Sequence, residues 1–385
     1  MSKKIILMYI SDISGHHSAS RAMEQAIKAV DTDAEVLNIN AFSYTNPIWE
    51  RVVNRAYMSV VKSTPEIWDY LYDNPKVLRR TQGIRERIHR AQTEKLKKLF
   101  HHFKPDVVAC TQAYPCGMVA DYKKTFNLNL PLVGILTDYA PHSYWIYDNI
   151  EAYIVPSHKV GQKLIKDGVR ESRVKPLGIP IDPRFSVVLD SKSINEELNL
   201  EHNLPKILIM GGGQGLGAIT KFLLALDKIK QDFQILVVAG ANKKLYNWIK
   251  KRKFKRKVVP FGYIDFVEKL MEVATLIVTK PGGVTTAEAL SKKLPMIIVD
   301  PLPGQEMMNA KFLLEEGIAL KADSEKELAR LVKELLDNPD KLEQMSRRIQ
   351  AHAKPDSAIK IAELILGLPE AELPDTESDL VVKRN

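Results

Sequence analysis

Short, continuous runs of apolar residues recur along the chain, each closed by small or polar residues. The first, residues 5–10, breaks into Ser14-Gly15-His16-His17. Apolar positions then return at helical spacing through Ala22, Ala26, Ile27 and Val30. "DVVACTQ", "LVGILTD", "AYIVPS" and "VKPLG" follow in the first half, and "KILIMGGG", "QILVVAG", "KVVPFGY", "LIVTKPGG" and "MIIVDP" in the second. Runs without polar alternation suit parallel strands buried on both faces. With helical segments between them they predict an α/β protein. Ligands of open α/β sheets collect beyond the carboxyl ends of the strands. The residues that close the runs are therefore the places to look for chemistry.

A chain of 385 residues is too long for one ordinary core, which predicts two domains. The pattern is interrupted near "GIPIDPRFSVVLDSKSINEELNLEHNLP", where prolines and polar residues dominate. The last stretch, residues 369–385, is polar enough to be disordered. Hydrophobic residues make up 45% and charged residues 27%, a globular balance, and the net charge of +9 favours an anionic partner: nucleotide, nucleic acid or membrane surface. The two cysteines, Cys110 and Cys116, lack the spacing of a metal or redox motif and suit a reducing cytoplasm. The apolar run behind Lys3 and Lys4 is too short for a signal peptide, and none approaches the roughly 18 residues of a spanning helix. A soluble or peripheral protein is expected.

The second half carries the sharper chemistry. "IMGGGQGLGAI" reads as a strand, a glycine turn and a helix start, with Gly212, Gly213 and Gln214 at its centre. Backbone there can approach a phosphate or sugar closely. The following strand ends Ala239-Gly240 without the acidic residue that holds a ribose, which counts against dinucleotide binding. Gly262 and Tyr263 close "KVVPFGY". "TKPGGVTTAEAL" repeats the theme: Gly282 and Gly283 precede Val284, Thr285 and a helix, whose N-terminus can hold a diphosphate. Glu288, one turn in, can accept from ribose hydroxyls. "DPLPGQEMMNA" then offers Gln305, Glu306 and Asn309, groups suited to sugar hydroxyls. Any one glycine turn is an ordinary α/β connection, but three at successive strand ends point to a nucleotide-sugar site.

On these residues the chain resembles the glycosyltransferases that build glycosyldiacylglycerols. These are the bacterial processive diacylglycerol glucosyltransferases and the plant-type monogalactosyldiacylglycerol synthases, relatives of the murein glycosyltransferase that adds N-acetylglucosamine to an undecaprenyl lipid. The resemblance is most specific over residues 279–309. It continues through "LTDYAPHSYWIYDNIEAYIVPS", which contributes His142 and Trp145, and "PLGIPIDPRF". The first loop departs from the family's G-x-G-H: Ile13 stands where the first glycine is usual, while Gly15 and His16 match.

The resemblance implies two facing Rossmann-like domains, the GT-B glycosyltransferase architecture with an interdomain cleft. Residues 1–185 would form the acceptor domain, 186–203 a linker, 204–355 the UDP-sugar domain and 356–368 a helix crossing back. It implies an inverting transfer of a hexose from a UDP-sugar to 1,2-diacylglycerol. His16 would be the general base, Asp138 would orient it or share its role, and the turn at Gly282 and Gly283 would receive the departing diphosphate. An imidazole suits a base at neutral pH. No Asp-x-Asp metal motif stands among these candidate site residues, so no metal and no further cofactor is expected. Three alternatives stand: transfer of N-acetylglucosamine to an undecaprenyl lipid, a UDP-sugar-binding protein without transfer, and a nucleotide-sugar epimerase.

A membrane face is also suggested. Over residues 47–62 Trp49 and several apolar residues share one helical face, with Arg51 and Arg55 elsewhere on it. Residues 76–104 hold ten Lys or Arg against two Glu. Such a band suits a peripheral helix on anionic lipid at the inner face of the plasma membrane, and equally an apolar stripe facing the core. "KKRKFKRK", residues 250–257, lacks the company of a nucleic-acid site, so it reads as a solvated helix end or a second lipid contact.

Overall fold

The computed structural model of the chain describes residues 2–45 and 93–373. They divide into two compact units, Met1–Pro183 with Asp356–Asn385, and Arg184–Pro355. Each unit is a six-stranded, wholly parallel sheet with helices between its strands.

The first sheet contains β1 (Lys4–Tyr9), β2 (Glu35–Asn40), β3 (Val107–Cys110), β4 (Leu132–Ile135), β5 (Ala152–Ile154) and β6 (Val174–Lys175), in the order β2-β1-β3-β4-β5-β6. Ile5, Ile6, Leu7 and Met8 are all fully buried, as a strand covered on both faces requires. The pairing of β1 with β2 sits at one edge, and β2 is only half-buried, which explains why "EVLNIN" reads as polar in sequence. From β1 the chain first moves outward to β2, then returns to the other side of β1 to build β3. The neighbours β1 and β3 therefore flank the point where strand order reverses, the usual ligand crevice of such sheets.

Helix α1 (Gly15–Val30) follows β1 and buries Met23, Ala26 and Ile27 at helical spacing. The last helix, Ser357–Leu366, packs beside it through Ala358, Ile361, Ala362 and Ile365. The Ser357 hydroxyl donates to the Ile179 carbonyl at 2.7 Å, fixing the start of this helix in the first unit. Within the segment expected to be disordered, the Glu372 N–H donates to the Asn129 carbonyl. Residues 374–385 lie outside the described residues. Residues 186–203, read from sequence as a linker, belong to the second unit and carry the helix Ser191–Glu197, capped by the Asp190 carboxylate.

The second sheet contains β7 (Lys206–Met210), β8 (Gln234–Val238), β9 (Val258–Phe261), β10 (Leu276–Thr279), β11 (Met296–Ile298) and β12 (Leu320–Lys321), in the order β12-β11-β10-β7-β8-β9. β7 runs outward through β8 and β9. The chain then returns to the other side of β7 for β10, β11 and β12, so β7 and β10 flank this unit's reversal point. The glycine turn after β7 and the one after β10 close those two strands.

Candidate functional site

In the first unit the turn after β1 is built by serine, not histidine. Ser14 caps α1 by accepting from the His17 N–H at 3.2 Å, while its own hydroxyl lies 2.7 Å from the Ser11 carbonyl, to which it donates. Gly15 and His16 are the first residues of α1 and leave the ring of His16 free of capping duty. His16 is half-buried. Its Nδ1 is 2.9 Å from the Thr111 carbonyl oxygen and 2.9 Å from the Thr137 hydroxyl. Thr111 and Thr137 follow β3 and β4, and both are buried. The Thr111 hydroxyl donates back to the His16 carbonyl at 2.9 Å, so the contact is reciprocal across the strand-order reversal. A carbonyl only accepts, so Nδ1 carries the ring proton and Nε2 presents the lone pair of the neutral imidazole.

Burial holds the His16 pKa below its ordinary value, against the opposing pull of the Asp138 carboxylate and the Thr111 carbonyl. The ring is therefore neutral at neutral pH. Asp138 acts on His16 through its charge; the hydrogen bonds that orient the ring come from Thr111 and Thr137. His17 is held otherwise: its Nδ1 lies 2.7 Å from the Asp12 carbonyl and its ring stacks on Tyr9 at 4.4 Å.

The aromatic candidates are packed inside. Trp145 is buried, with ring carbons only 3.4 Å from where a side chain on Gly134 would begin. His142 is buried beside it and beside Tyr144. The indole fills the space that Gly134 leaves over β4, so Trp145, a candidate on the acceptor and membrane side, packs inside the first unit. Trp49, Arg51 and Arg55 lie outside the described residues.

The second unit gathers three turns by side-chain braces that sequence inspection missed. In the turn after β7, Gly215 has φ +59, and a Cβ on it would lie 2.0 Å from the Ala239 carbonyl oxygen. Only glycine lets this turn press against the end of β8. Asn242 donates to the Gly215 carbonyl at 3.0 Å, and Asp300 accepts from the Ala218 N–H at 2.8 Å. These two bonds tie the turn to the strand ends on either side. Gly212 is half-buried, while Gly213 and Gln214 are exposed at the apex. Gly262 and the exposed Tyr263 follow β9.

Helix α2 (Gly283–Ser291) follows β10, with Gly282 as its N-cap and no side chain capping it. Its first N–H groups, from Gly283 to Thr285, make no bond within the helix, the usual condition of a helix start. Thr285 and Glu288 are half-buried and Val284 is buried. Helix α3 (Gln305–Glu315) follows β11. Asn309, expected to grip a sugar, is fully buried and donates to the Pro281 carbonyl at 3.0 Å. This bond braces the turn that precedes α2. Glu306 is likewise engaged: its Oε2 is 3.1 Å from the buried Lys280 ammonium and accepts from the Leu302 N–H at 2.7 Å. It closes the loop between β11 and α3. Gln305, its neighbour, is half-buried at the start of α3.

Among the described residues no cluster of His, Cys, Asp or Glu is suited to a metal ion, and no helix is long and apolar enough to cross a membrane.

Residues 16–181 match the family of Monogalactosyldiacylglycerol (MGDG) synthase, and residues 206–361 match the Glycosyltransferase family 28 C-terminal domain. The chain is a glycosyltransferase that carries both family regions. Among its relatives is the processive diacylglycerol beta-glucosyltransferase of Bacillus cytotoxicus, 28% identical over 365 residues, covering 94% of this chain and 93% of that protein. The enzyme of the same name from Bacillus subtilis is 27% identical over 372 residues, covering 95% of each. The fold of this glycosyltransferase is shared with MurG of Acinetobacter baumannii, at TM-score 0.60 and 16% identity over 95% of this chain and 100% of that one. Anabaena Alr3699/HepE, solved with UDP-glucose, aligns at TM-score 0.57 and 15% identity, again over 95% and 100%. The UDP-GlcNAc 2-epimerase of Neisseria meningitidis aligns at TM-score 0.59 and 14% identity over 94% and 99%. Transferases and epimerases thus share this fold, and it is the sequence family that separates them.

Proposed function

We propose that the chain transfers a hexose from a UDP-sugar to the free hydroxyl of 1,2-diacylglycerol with inversion at the anomeric carbon. The observation that carries this reading is the tautomer of His16. With Nδ1–H held by the Thr111 carbonyl, Nε2 is an unprotonated acceptor on a ring whose pKa lies below the ordinary value. In the proposed step Nε2 takes the hydroxyl proton as the acceptor oxygen bonds to the anomeric carbon. The bond from that carbon to the diphosphate breaks, and UDP leaves with the electron pair. One displacement inverts the centre. The N–H groups that open α2, beyond Gly282, suit the negative charge that develops on the diphosphate. Glu288 is the proposed partner of the ribose hydroxyls and Gln305 of the sugar.

The relatives named as diacylglycerol glucosyltransferases support the acceptor, and the UDP-glucose bound to the Anabaena neighbour supports the donor class. The chain is proposed to act peripherally, at the inner face of a membrane that supplies the lipid. The test is direct. Purified protein is given each labelled UDP-sugar in turn with diacylglycerol or a polyprenyl phosphate lipid in mixed micelles. Labelled glycosyldiacylglycerol supports the reading. Label on the polyprenyl lipid alone, or an altered UDP-sugar with no transfer, overturns it.

A further inference from the structure

The helix Lys243–Lys251 carries a charge distribution that the proposed reaction does not use. Leu245 and Ile249 are its buried residues. At 100° per residue, Lys243, Lys244, Asn247, Lys250 and Lys251 fall within about 120° of the opposite side, and all five are exposed. Tyr246 and Trp248, both half-buried, flank that lysine face on its two sides. Lys250 Nζ lies 5.5 Å from the Tyr246 ring centroid, and the Arg252 guanidinium lies 5.2 Å from that of Trp248. The edge of Phe254 meets Trp248 at 6.1 Å. Beyond the helix, Arg252, Lys253 and Lys255 are also exposed. The sequence has no Asp or Glu between Asp232 and Asp265. The four helix lysines make no ion pair among the described residues.

This is more than a solvated helix. Four other lysines of the same unit sit on carboxylates: Lys311 on Glu315, Lys321 on Asp323, Lys333 on Asp337 and Lys341 on Glu334. Here the cations are unneutralised, gathered on one face, and bordered by amphipathic aromatic rings of the kind that lie at a bilayer's headgroup level. The rings are half-buried at the flanks of the face, so they form no exposed platform on which nucleic-acid bases could stack. We propose that this face of the second unit, Lys243, Lys244, Lys250 and Lys251 with Arg252 and Trp248, docks on the anionic surface of a lipid bilayer. These residues belong to the second unit, whereas His16 belongs to the first. The inference rests on the lipid-acceptor reading only for its choice of partner, and its test uses no donor sugar, so either can fail while the other stands.

The test is cosedimentation of the full-length protein with vesicles of phosphatidylcholine, alone or mixed with phosphatidylglycerol. Wild-type protein should bind the anionic vesicles, bind the neutral ones weakly, and lose binding as salt rises. Lys243→Gln, Lys244→Gln, Lys250→Gln and Lys251→Gln combined should weaken anionic binding about a hundredfold or more, each lysine near such a surface contributing roughly fivefold. Gln keeps helix propensity close to that of Lys at these exposed positions. A matched variant, Lys311→Gln, Lys321→Gln, Lys333→Gln and Lys341→Gln, loses the same charge and should lose less than about tenfold. Equal loss in the two variants would reduce the effect to net charge and overturn the proposal. So would salt-insensitive wild-type binding, which needs no variant, or binding to duplex DNA that the first variant abolishes while vesicle binding survives.

Discussion

His16 Nδ1 lies 2.9 Å from the Thr111 carbonyl oxygen, and the Thr111 hydroxyl lies 2.9 Å from the His16 carbonyl. Thr111 directly follows β3 and His16 opens the helix that follows the adjacent β1, at the point where strand order reverses. The pair fixes the ring's rotation and tautomer with groups that do not titrate, and leaves Nε2 as the basic atom. Burial lowers the pKa and Asp138 partly restores it.

The first prediction concerns pH. The base must be neutral, and its pKa lies below the ordinary value of about 6.5. Activity should therefore rise with pH through a pKa below that value and then level off. Removing the Asp138 charge removes the influence that raises the pKa, so Asp138→Asn should shift the acid limb further down. A kcat/KM profile whose limb moved upward in that variant would contradict the electrostatic role.

Thr137 supplies the second contact to Nδ1. Thr137→Val keeps the shape and deletes the hydroxyl. Loss of one hydrogen bond is worth about 0.5–1.5 kcal/mol, so kcat should fall roughly threefold to tenfold with KM little changed. Steady-state kinetics read the split.

In the second unit, Gly215→Ala should separate the glycine turn from the end of β8, because the added methyl has no room beside the Ala239 carbonyl. UDP affinity measured by calorimetry should fall by about tenfold or more. Glu288→Ala should weaken UDP binding by about 1.5–3 kcal/mol, the range for hydrogen bonds to charged groups. Unchanged affinity would remove Glu288 from the site.

Glu306 and Asn309 should behave as supports. Glu306→Gln leaves the Lys280 ammonium buried without its carboxylate and should cost stability, by about 3–5 kcal/mol where such a pair is broken. Thermal unfolding checks it. Gln305→Ala, by contrast, should alter the choice among UDP-sugars while UDP affinity stays nearly constant.

The buried strands were legible because parallel strands covered on both faces leave unbroken apolar runs, as in "KIILMY" and "KILIM". β2 was not, since an edge strand tolerates Glu35, Asn38 and Asn40, and β12 is only two residues long. The three glycine turns announced themselves through composition. Their braces did not: a buried Asn309 donating to Pro281 and a sugar-binding asparagine look identical in sequence. The partners of His16 left one faint signal, a threonine directly beyond a strand run in both "VVACT" and "LVGILT". Linear spacing could not reveal that the topology carries those two threonines, 95 and 121 residues on, to the same ring nitrogen.

The most direct measurement is the single-turnover rate of transfer from saturating UDP-sugar to diacylglycerol, wild type against His16→Ala, with UDP affinity determined on the same preparations. The account predicts a loss of roughly 10²–10⁴-fold in rate, the usual worth of a general base, with UDP affinity unchanged and His17→Ala close to wild type. Near-normal transfer by His16→Ala, with activity abolished instead by His17→Ala or Asp138→Asn, would contradict it and move the base to one of those residues.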